Sequence, residues 1–249
     1  MFNDYKIRWS DGREDSITLS DSTPQSFAVG GIATGELPAY TLENFKAQDG
    51  DIMIDVGGHC GVVSIFYAKF FPNLKIYAYE PMPNNFETFN QNLKANNVSN
   101  VEVFNLAVTS NGRDVTLCQP ISNTGGANVT DFLRSNETKY MKLAKAKSTT
   151  LDDIFKENKI EKCKLLKMDC ECSEHEILHN FSFDYPIENF IGELHINGTL
   201  RRKGYSIEKI IEILDANNVK HKTGAIEVAD SVEDDGRIIS YDYGLMGQL

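Results

Sequence analysis

The run Gly50-Asp51-Ile52-Met53-Ile54-Asp55-Val56-Gly57-Gly58-His59-Cys60-Gly61 decides the fold. Its apolar stretch ends in an acid and paired glycines, and Val62, Val63, Ile65, Phe66, Phe70 and Phe71 follow, so it reads as a strand, a tight turn and an apolar helix. Glycine at the turn removes a Cβ clash and lets a ligand approach the main chain. C-terminal to it, Ile76-Tyr77-Ala78-Tyr79 reads as a second strand, and Pro81 and Pro83 delay the next helix, on which Phe86, Phe89 and Leu93 share a face. Val101-Glu102-Val103-Phe104 is a third strand, and Leu165-Leu166-Lys167-Met168-Asp169 and Phe190-Ile191-Gly192-Glu193-Leu194 are further ones, with a helix between them around Glu174 and Leu178. Strands alternating with helices at this spacing predict an α/β fold, a parallel sheet covered on both faces.

Smaller signals fill in the chain. Asn111-Gly112 between Leu106-Ala107-Val108 and Val115-Thr116-Leu117 predicts a hairpin. Thr150 is placed to cap a short helix from Leu151 to Phe155. Ile207, Ile210, Ile211 and Leu214 mark an amphipathic helix, and Val219 onward with Arg237-Ile238-Ile239-Ser240-Tyr241 predicts a closing pair of strands. Near the N-terminus, Tyr5 to Trp9 and Ser16 to Leu19 alternate about Asp11-Gly12, which predicts a β-hairpin. The expected organisation is therefore an N-terminal extension over residues 1–49 and one domain over 50–249. The polar segment 122–138 is expected to be a disordered loop or a lid.

The chain has 249 residues, 41% of them hydrophobic and 24% charged, which suits one large globular domain. Acids outnumber bases by 36 to 25, a formal charge of -11, so nucleic acid and anionic membrane surfaces are disfavoured partners and a small-molecule or glycan ligand fits better. No stretch approaches the roughly 18 apolar residues of a membrane span, and Met1 to Lys6 lacks the pattern of an export signal. Five cysteines are odd in number and few for this length. A reducing, cytoplasmic setting is expected.

Ligands of parallel sheets bind at the carboxyl ends of the strands. Asp55, Gly57, Gly58 and Gly61 sit at the end of the first strand, and Glu80 ends the second, 19 residues after Gly61, where a carboxylate accepts hydrogen bonds from ribose hydroxyls. An acid beside the glycines repels a dinucleotide pyrophosphate and attracts the cationic S-adenosylmethionine, whose carboxylate is then expected on the loop amides. Beyond the fourth and fifth strands, Asp169, Glu171, Glu193 and His195 converge on one crevice. His195, with an ordinary pKa of about 6.5, is the first choice as base for an acceptor hydroxyl. Asp169 is the alternative base or orienting group, and Glu171 and Glu193 serve the same ends or hold a divalent cation. The metal reading is the weaker of these, so no metal ligand is assigned, and Cys170-x-Cys172 lacks the spacing of a zinc knuckle.

Gly50-Asp51-x-x-x-Asp55-Val56-Gly57-x-x-x-Gly61, Tyr79-Glu80-Pro81, Asn105-x-Ala107-Val108, Thr150-Leu151-Asp152-Asp153 and Lys167-Met168-Asp169-Cys170-Glu171 together resemble the FkbM family of methyltransferases. The resemblance implies a class I, Rossmann-like methyltransferase fold, a seven-stranded sheet with its last strand antiparallel. It also implies O-methylation of a hydroxyl on a sugar or secondary metabolite. By this similarity Asp55, Gly57 and Gly61 hold the methionyl end of the donor, Glu80 holds the ribose, and Asn105 and Ala107 border the adenine. Two positions depart from the family's pattern, His59 where Asn is usual and Cys172 where Gly is usual. The rival readings are an NAD-dependent oxidoreductase or epimerase, and a non-catalytic binding module whose donor pocket His59 or Cys60 would block.

Overall fold

A computed structural model of the chain describes residues 2–20, 37–42, 44–120, 124–132, 141–227 and 242–243. Strands β1 (Phe2–Arg8) and β2 (Glu14–Ser20) form the expected antiparallel hairpin. Then β3 (Ile52–Val56), α1 (Val62–Phe70), β4 (Lys75–Tyr79), α2 (Pro83–Ala95) and β5 (Val101–Phe104) alternate as the apolar periodicity predicts. Short strands follow: β6 (Ala107–Val108), β7 (Val115–Pro120), β8 (Asn128–Val129), β9 (Met141–Ala146) and β10 (Ser148–Thr149). The C-terminal half comprises α3 (Leu151–Glu157), β11 (Leu165–Met168), α4 (Ser173–Asn180), β12 (Asn189–Ile196), α5 (Gly198–Arg202), α6 (Ile207–Ala216) and β13 (Lys220–Glu227).

The strand order β13-β12-β11-β3-β4-β5 is parallel throughout. Asp242–Tyr243 (β14) pairs antiparallel with the end of β13 over two residue pairs. Side chains alternate across the sheet, as a pleated strand requires. Met53, Ile76 and Ala78 join one core with Ile65, Phe66, Phe70 and Phe71 of the α1 region, whereas Ile54, Val56, Tyr77 and Tyr79 join the other with Phe155, Leu178, Ile210 and Leu214. The hairpin shares the first core, since Ile7, Trp9, Ile17 and Leu19 are buried in it. The Trp9 ring stacks on Phe66 at 5.1 Å and meets Phe71 edge-on at 4.7 Å.

Three expectations need revising or fall elsewhere. The hairpin predicted about Asn111-Gly112 does not form. The turn is there, with Gly112 N donating to Thr109 Oγ1 and φ at 68°, but β6 pairs in parallel with β10 and β7 pairs antiparallel with β8 and β9. The local turn signal was correct, while longer-range partners took its flanking strands. Helix α2 buries Asn85, Thr88, Phe89, Asn92 and Leu93, so polar residues share the buried stripe and Phe86 is only half-buried. Of segment 122–138, residues 124–132 are ordered against the β7–β8 sheet, and the remainder lies outside the described residues, as does the predicted strand Arg237 to Tyr241.

Candidate functional site

The sheet order reverses between β3 and β11, so their connections leave in opposite directions and open a crevice at the carboxyl edge. A cleft lies there, bounded by Gly57, Gly58 and His59 after β3, Glu80 and Pro81 after β4, Asp169, Cys170 and Glu171 after β11, and Glu193 of β12. Leu106, Ala107, Val108, Leu117, Ala127 and Val129 give the cleft an apolar part of its lining. The described part of segment 122–138 thus forms a wall. Thr124 anchors that wall: its carbonyl accepts from Asn85 Nδ2 at 3.0 Å and Gln119 Nε2 at 2.9 Å, and its hydroxyl lies 3.0 Å from His59 Nε2. Burial pushes His59 down to about 4, so the imidazole beside the cleft is neutral.

Gly57 is a glycine for two reasons. Its φ is 81°, and a Cβ there would meet the Asp169 carbonyl oxygen at 1.9 Å, so the loop can lie against β11 only without a side chain. The loop amides are already committed: Gly57 N and Gly58 N both donate to Tyr79 O, His59 N to Glu80 Oε2, and Gly61 N to Gly58 O. Gly61 does not line the cleft; a Cβ there would strike the Phe89 ring of the first core at 2.2 Å.

Glu80 stands where the sequence placed it. Backbone amides of His59 (2.7 Å) and Met82 (2.8 Å) and Asn85 Nδ2 (3.3 Å) hold its carboxylate, while burial pushes its pKa up to about 7 against those bonds. Asn105 does not line the cleft; its Nδ2 donates to the Glu80 and Pro81 carbonyls and fixes the strand end instead. Asp55 does not line it either. The carboxyl is fully buried, accepts from Ser64 Oγ at 2.6 Å and pairs with Lys167 Nζ at 3.0 Å. Register explains the pair, since Lys167 and Asp55 are direct neighbours on β11 and β3. Lys167, which also donates to Gly57 O at 2.7 Å, is the basic side chain that lines the cleft among the described residues. Four acids, Glu80, Asp169, Glu171 and Glu193, line the same cleft.

The expected catalytic residues do converge. Ligand atoms of Asp169, Glu171 and His195 lie within 4.8 Å of one another. Tyr40, which no sequence signal marked, joins them: its hydroxyl is 2.8 Å from Asp169 Oδ2 and 2.9 Å from Glu193 Oε1. Burial and these two acids push the phenol well above its usual pKa, so it stays protonated and offers its single proton to two carboxyl oxygens. Burial and the neighbouring Asp169 charge put Glu193 at about 7, so a large share of it is ionised near neutrality and able to accept a proton. Glu171 is also pushed up to about 7, by burial and by the acids around it against the opposing pull of His195.

His195 is buried and absent from the cleft lining. Its Nδ1 lies 3.3 Å from Oε1 of Glu174, a fully buried acid that the sequence reading took only as part of a helix. Burial alone would lower this imidazole, but Glu171, Glu174 and Asp169 outweigh it and hold the pKa well above 6.5. The expectation of a largely neutral His195 therefore needs correcting: among these acids the ring is protonated. The two departures from the family pattern sit in left-handed backbone, His59 at φ 47° and Cys172 at φ 80°, where Asn and Gly are the residues at ease.

The profile of the methyltransferase FkbM domain matches residues 51–222, more than half of the chain. The chain belongs to the FkbM methyltransferase family. The matched domain is a methyltransferase domain, which implies S-adenosylmethionine as a methyl donor. The chain is 25% identical over 162 residues to "Methyltransferase 1" of Beauveria bassiana (strain ARSEF 2860), an alignment that spans 59% of this chain and 65% of that protein. Among solved structures it is similar to precorrin-6y C5,15-methyltransferase from Geobacter metallireducens at 14% identity and a TM-score of 0.41, covering 75% of this chain and 70% of that one. In this FkbM domain the matched span runs from the first strand of the sheet into β13 and contains Glu80, Lys167, Asp169, Glu171, Glu193 and His195; Tyr40 lies outside it.

Proposed function

We propose that the protein moves the methyl group of S-adenosylmethionine to a hydroxyl oxygen of a sugar, glycan or secondary metabolite. The observation that supports this reading is the charge of the cleft, which Glu80, Asp169, Glu171 and Glu193 line together with Lys167. Such a surface attracts a sulfonium nucleoside and repels the pyrophosphate of a dinucleotide. The residues fit the donor part by part. Glu80 keeps acceptor capacity for ribose hydroxyls, and the apolar lining of Leu106, Ala107, Val108, Leu117, Ala127 and Val129 suits an aromatic base. Gly57 and Gly58 let the methionyl end approach the main chain. Since the loop amides are taken, the donor's carboxylate falls to Lys167. Asp55 acts through Lys167, Gly61 through the space it leaves for Phe89, and Asn105 through the Glu80 carbonyl.

When bound, the donor supplies a sulfonium-activated methyl carbon, to which the acceptor oxygen forms its new bond as the carbon–sulfur bond breaks. The chain must align that oxygen and receive its proton. An alcohol keeps its proton at pH 7, so a cleft crowded with carboxylates suits a hydroxyl acceptor. Glu193 lines the cleft and is assigned as the group that takes the proton, with Tyr40 and Asp169 orienting it. Glu171 faces the acceptor side, and His195 acts from behind. The cleft is open beside His59, and Cys60 is buried in the core beneath it, which favours a donor-binding enzyme over a blocked module.

A seven-stranded sheet with an antiparallel last strand belongs to this reading, supported by the two residue pairs of β14. So do a division between residues 1–49 and 50–249 and a reducing cytoplasmic setting. A screen with methyl-labelled donor against sugars, glycolipids and hydroxylated metabolites tests the function. Label is expected on an acceptor oxygen, and Glu193→Gln is expected to lower turnover by about 10²-fold or more with donor affinity kept. Transfer to nitrogen or carbon alone, or full turnover in Glu193→Gln, would contradict it.

A further inference from the structure

Leu37 and Tyr40, at the two ends of the 3-10 turn Leu37–Tyr40, line the cleft although both precede the residues that match the family. The Tyr40 hydroxyl lies 2.8 Å from Asp169 Oδ2 and 2.9 Å from Glu193 Oε1, so it ties together the acids at the ends of two neighbouring strands. We propose that the N-terminal segment is a working part of the acceptor site: Tyr40 is a positioning residue that holds the Glu193 carboxylate ionised and so sets the pH above which the chain turns over. The proposal rests on the reading of Glu193 as the group that takes the acceptor's proton.

The phenol is anchored through its own backbone. The Tyr40 carbonyl accepts from the Tyr67 hydroxyl at 2.7 Å, and the next carbonyl, of Thr41, accepts from Lys222 Nζ at 3.2 Å. Tyr67 lies on α1 and meets Trp9 of the hairpin edge-on at 5.2 Å and Phe45 at 5.5 Å. Hairpin, Phe45 and α1 thus form one aromatic support beneath the turn. A hydroxyl held from behind in this way keeps both acids in reach with little further ordering.

The groups around Glu193 pull in opposite directions. Burial and the Asp169 charge raise it, while His195, whose Nε2 is 3.7 Å from Oε2, the Tyr40 hydroxyl and Lys167 lower it, with the balance at about 7. Glu171 and Glu193 repel each other as well. On β13 the register neighbour of Glu193 is the uncharged Gly224. A hydrogen bond donated to a carboxylate favours its charged form. Tyr40 is itself held well above its ordinary pKa by burial and by the two acids, so it keeps its proton and acts only as donor. Removing the hydroxyl leaves less of Glu193 ionised at neutrality. The pH at which Glu193 can take the proton that the acceptor loses, as its oxygen bonds to the methyl carbon, then moves upward.

The test is ¹³C NMR of the full chain labelled at glutamate Cδ and titrated with pH, the Glu193 signal being assigned by its loss in Glu193→Gln. Tyr40→Phe keeps the ring and the carbonyl bond to Tyr67, and is expected to move the Glu193 midpoint upward by about half a pH unit or more. Tyr185→Phe, whose ring stacks on Phe155 and does not line the cleft, is expected to leave the midpoint in place. If Tyr40→Phe does not fold, Tyr67→Phe, which frees the Tyr40 carbonyl, is read in its place and is expected to move the midpoint the same way. A midpoint that stays or falls overturns the proposal, as does an equal rise in Tyr185→Phe. With an acceptor found by the labelled-donor screen, the low-pH limb of kcat is expected to move up with the midpoint while KM for the donor holds; a limb that stays in place also overturns it. A raised midpoint in a chain that binds no S-adenosylhomocysteine and transfers no methyl group supports the link between Tyr40 and Glu193 and refutes the methyl-transfer reading. An unmoved midpoint in a chain that methylates oxygen does the opposite.

Discussion

At the scale of the residue, Cys172 shows how a local departure is accommodated. Its φ of 80° is a conformation that costs a non-glycine residue roughly 1–2 kcal/mol, yet the side chain is buried in the third core and its sulfur lies 3.6 Å from Asn197 Nδ2. Comparing two truncations separates strain from packing, because both remove the thiol and only one relieves the backbone. Cys172→Gly is expected to be more stable than Cys172→Ala by about 1 kcal/mol in chemical denaturation, the reverse of the usual order of these residues. Ala equal to or above Gly would mean that the turn relaxes at no cost.

Asp55 teaches a related lesson at the same scale. A carboxylate before paired glycines reads in the sequence as one wall of the donor pocket, yet it is buried, matched by Lys167 across the strand pair, and does not line the cleft. Sequence spacing identifies a charge and its strand end; it does not say whether a counter-charge lies on the adjacent strand. The position of Glu80 was legible because it ends a strand 19 residues after Gly61, at the spacing of a βαβ unit. Tyr40 and Glu174 were not legible, since neither stands at a strand end that the spacing marks and nothing in the sequence shows that Tyr40 meets Asp169 and Glu193 or that Glu174 meets His195.

At the scale of the element, the strands and helices of the main sheet were readable from apolar periodicity, and Thr150 does accept from Asp153 N at 3.0 Å as an N-cap should. The β6–β7 hairpin was misread because strand pairing is decided by distant partners, and a good turn does not choose them. The N-terminal hairpin was predicted as an extension, but Trp9 packs among Phe45, Phe66, Tyr67, Phe70 and Phe71 in the core beneath α1. Trp9→Ala is therefore expected to cost about 3–5 kcal/mol and to lower the melting transition of the whole fold as one cooperative step. A hairpin that melts separately, leaving the main transition unmoved, would show that it adds nothing to the core of the sheet.

At the scale of the molecule, an acidic chain of net charge -11 concentrates acids where the sheet order reverses. No helix among the described residues is long and apolar enough to cross a membrane. The family match implies methyl transfer, and the proposed reading has the cleft favour a cationic nucleoside held at Glu80. Because burial raises Glu80 to about 7, the group is largely protonated below that pH, and ribose hydroxyls donate better to the ionised form. Donor binding then releases a proton, and affinity climbs with pH up to about 7 and levels off above it.

Calorimetric titration of the purified chain with S-adenosylmethionine at pH 6 and pH 8, alongside NAD⁺ and the Glu80→Gln variant, measures this directly. One donor molecule per chain, tighter at pH 8 by up to about tenfold, with the variant weaker and flat in pH and with no heat from NAD⁺, is the predicted result. Binding of NAD⁺ in place of the sulfonium nucleoside, or a donor affinity that Glu80→Gln leaves untouched, would contradict the account.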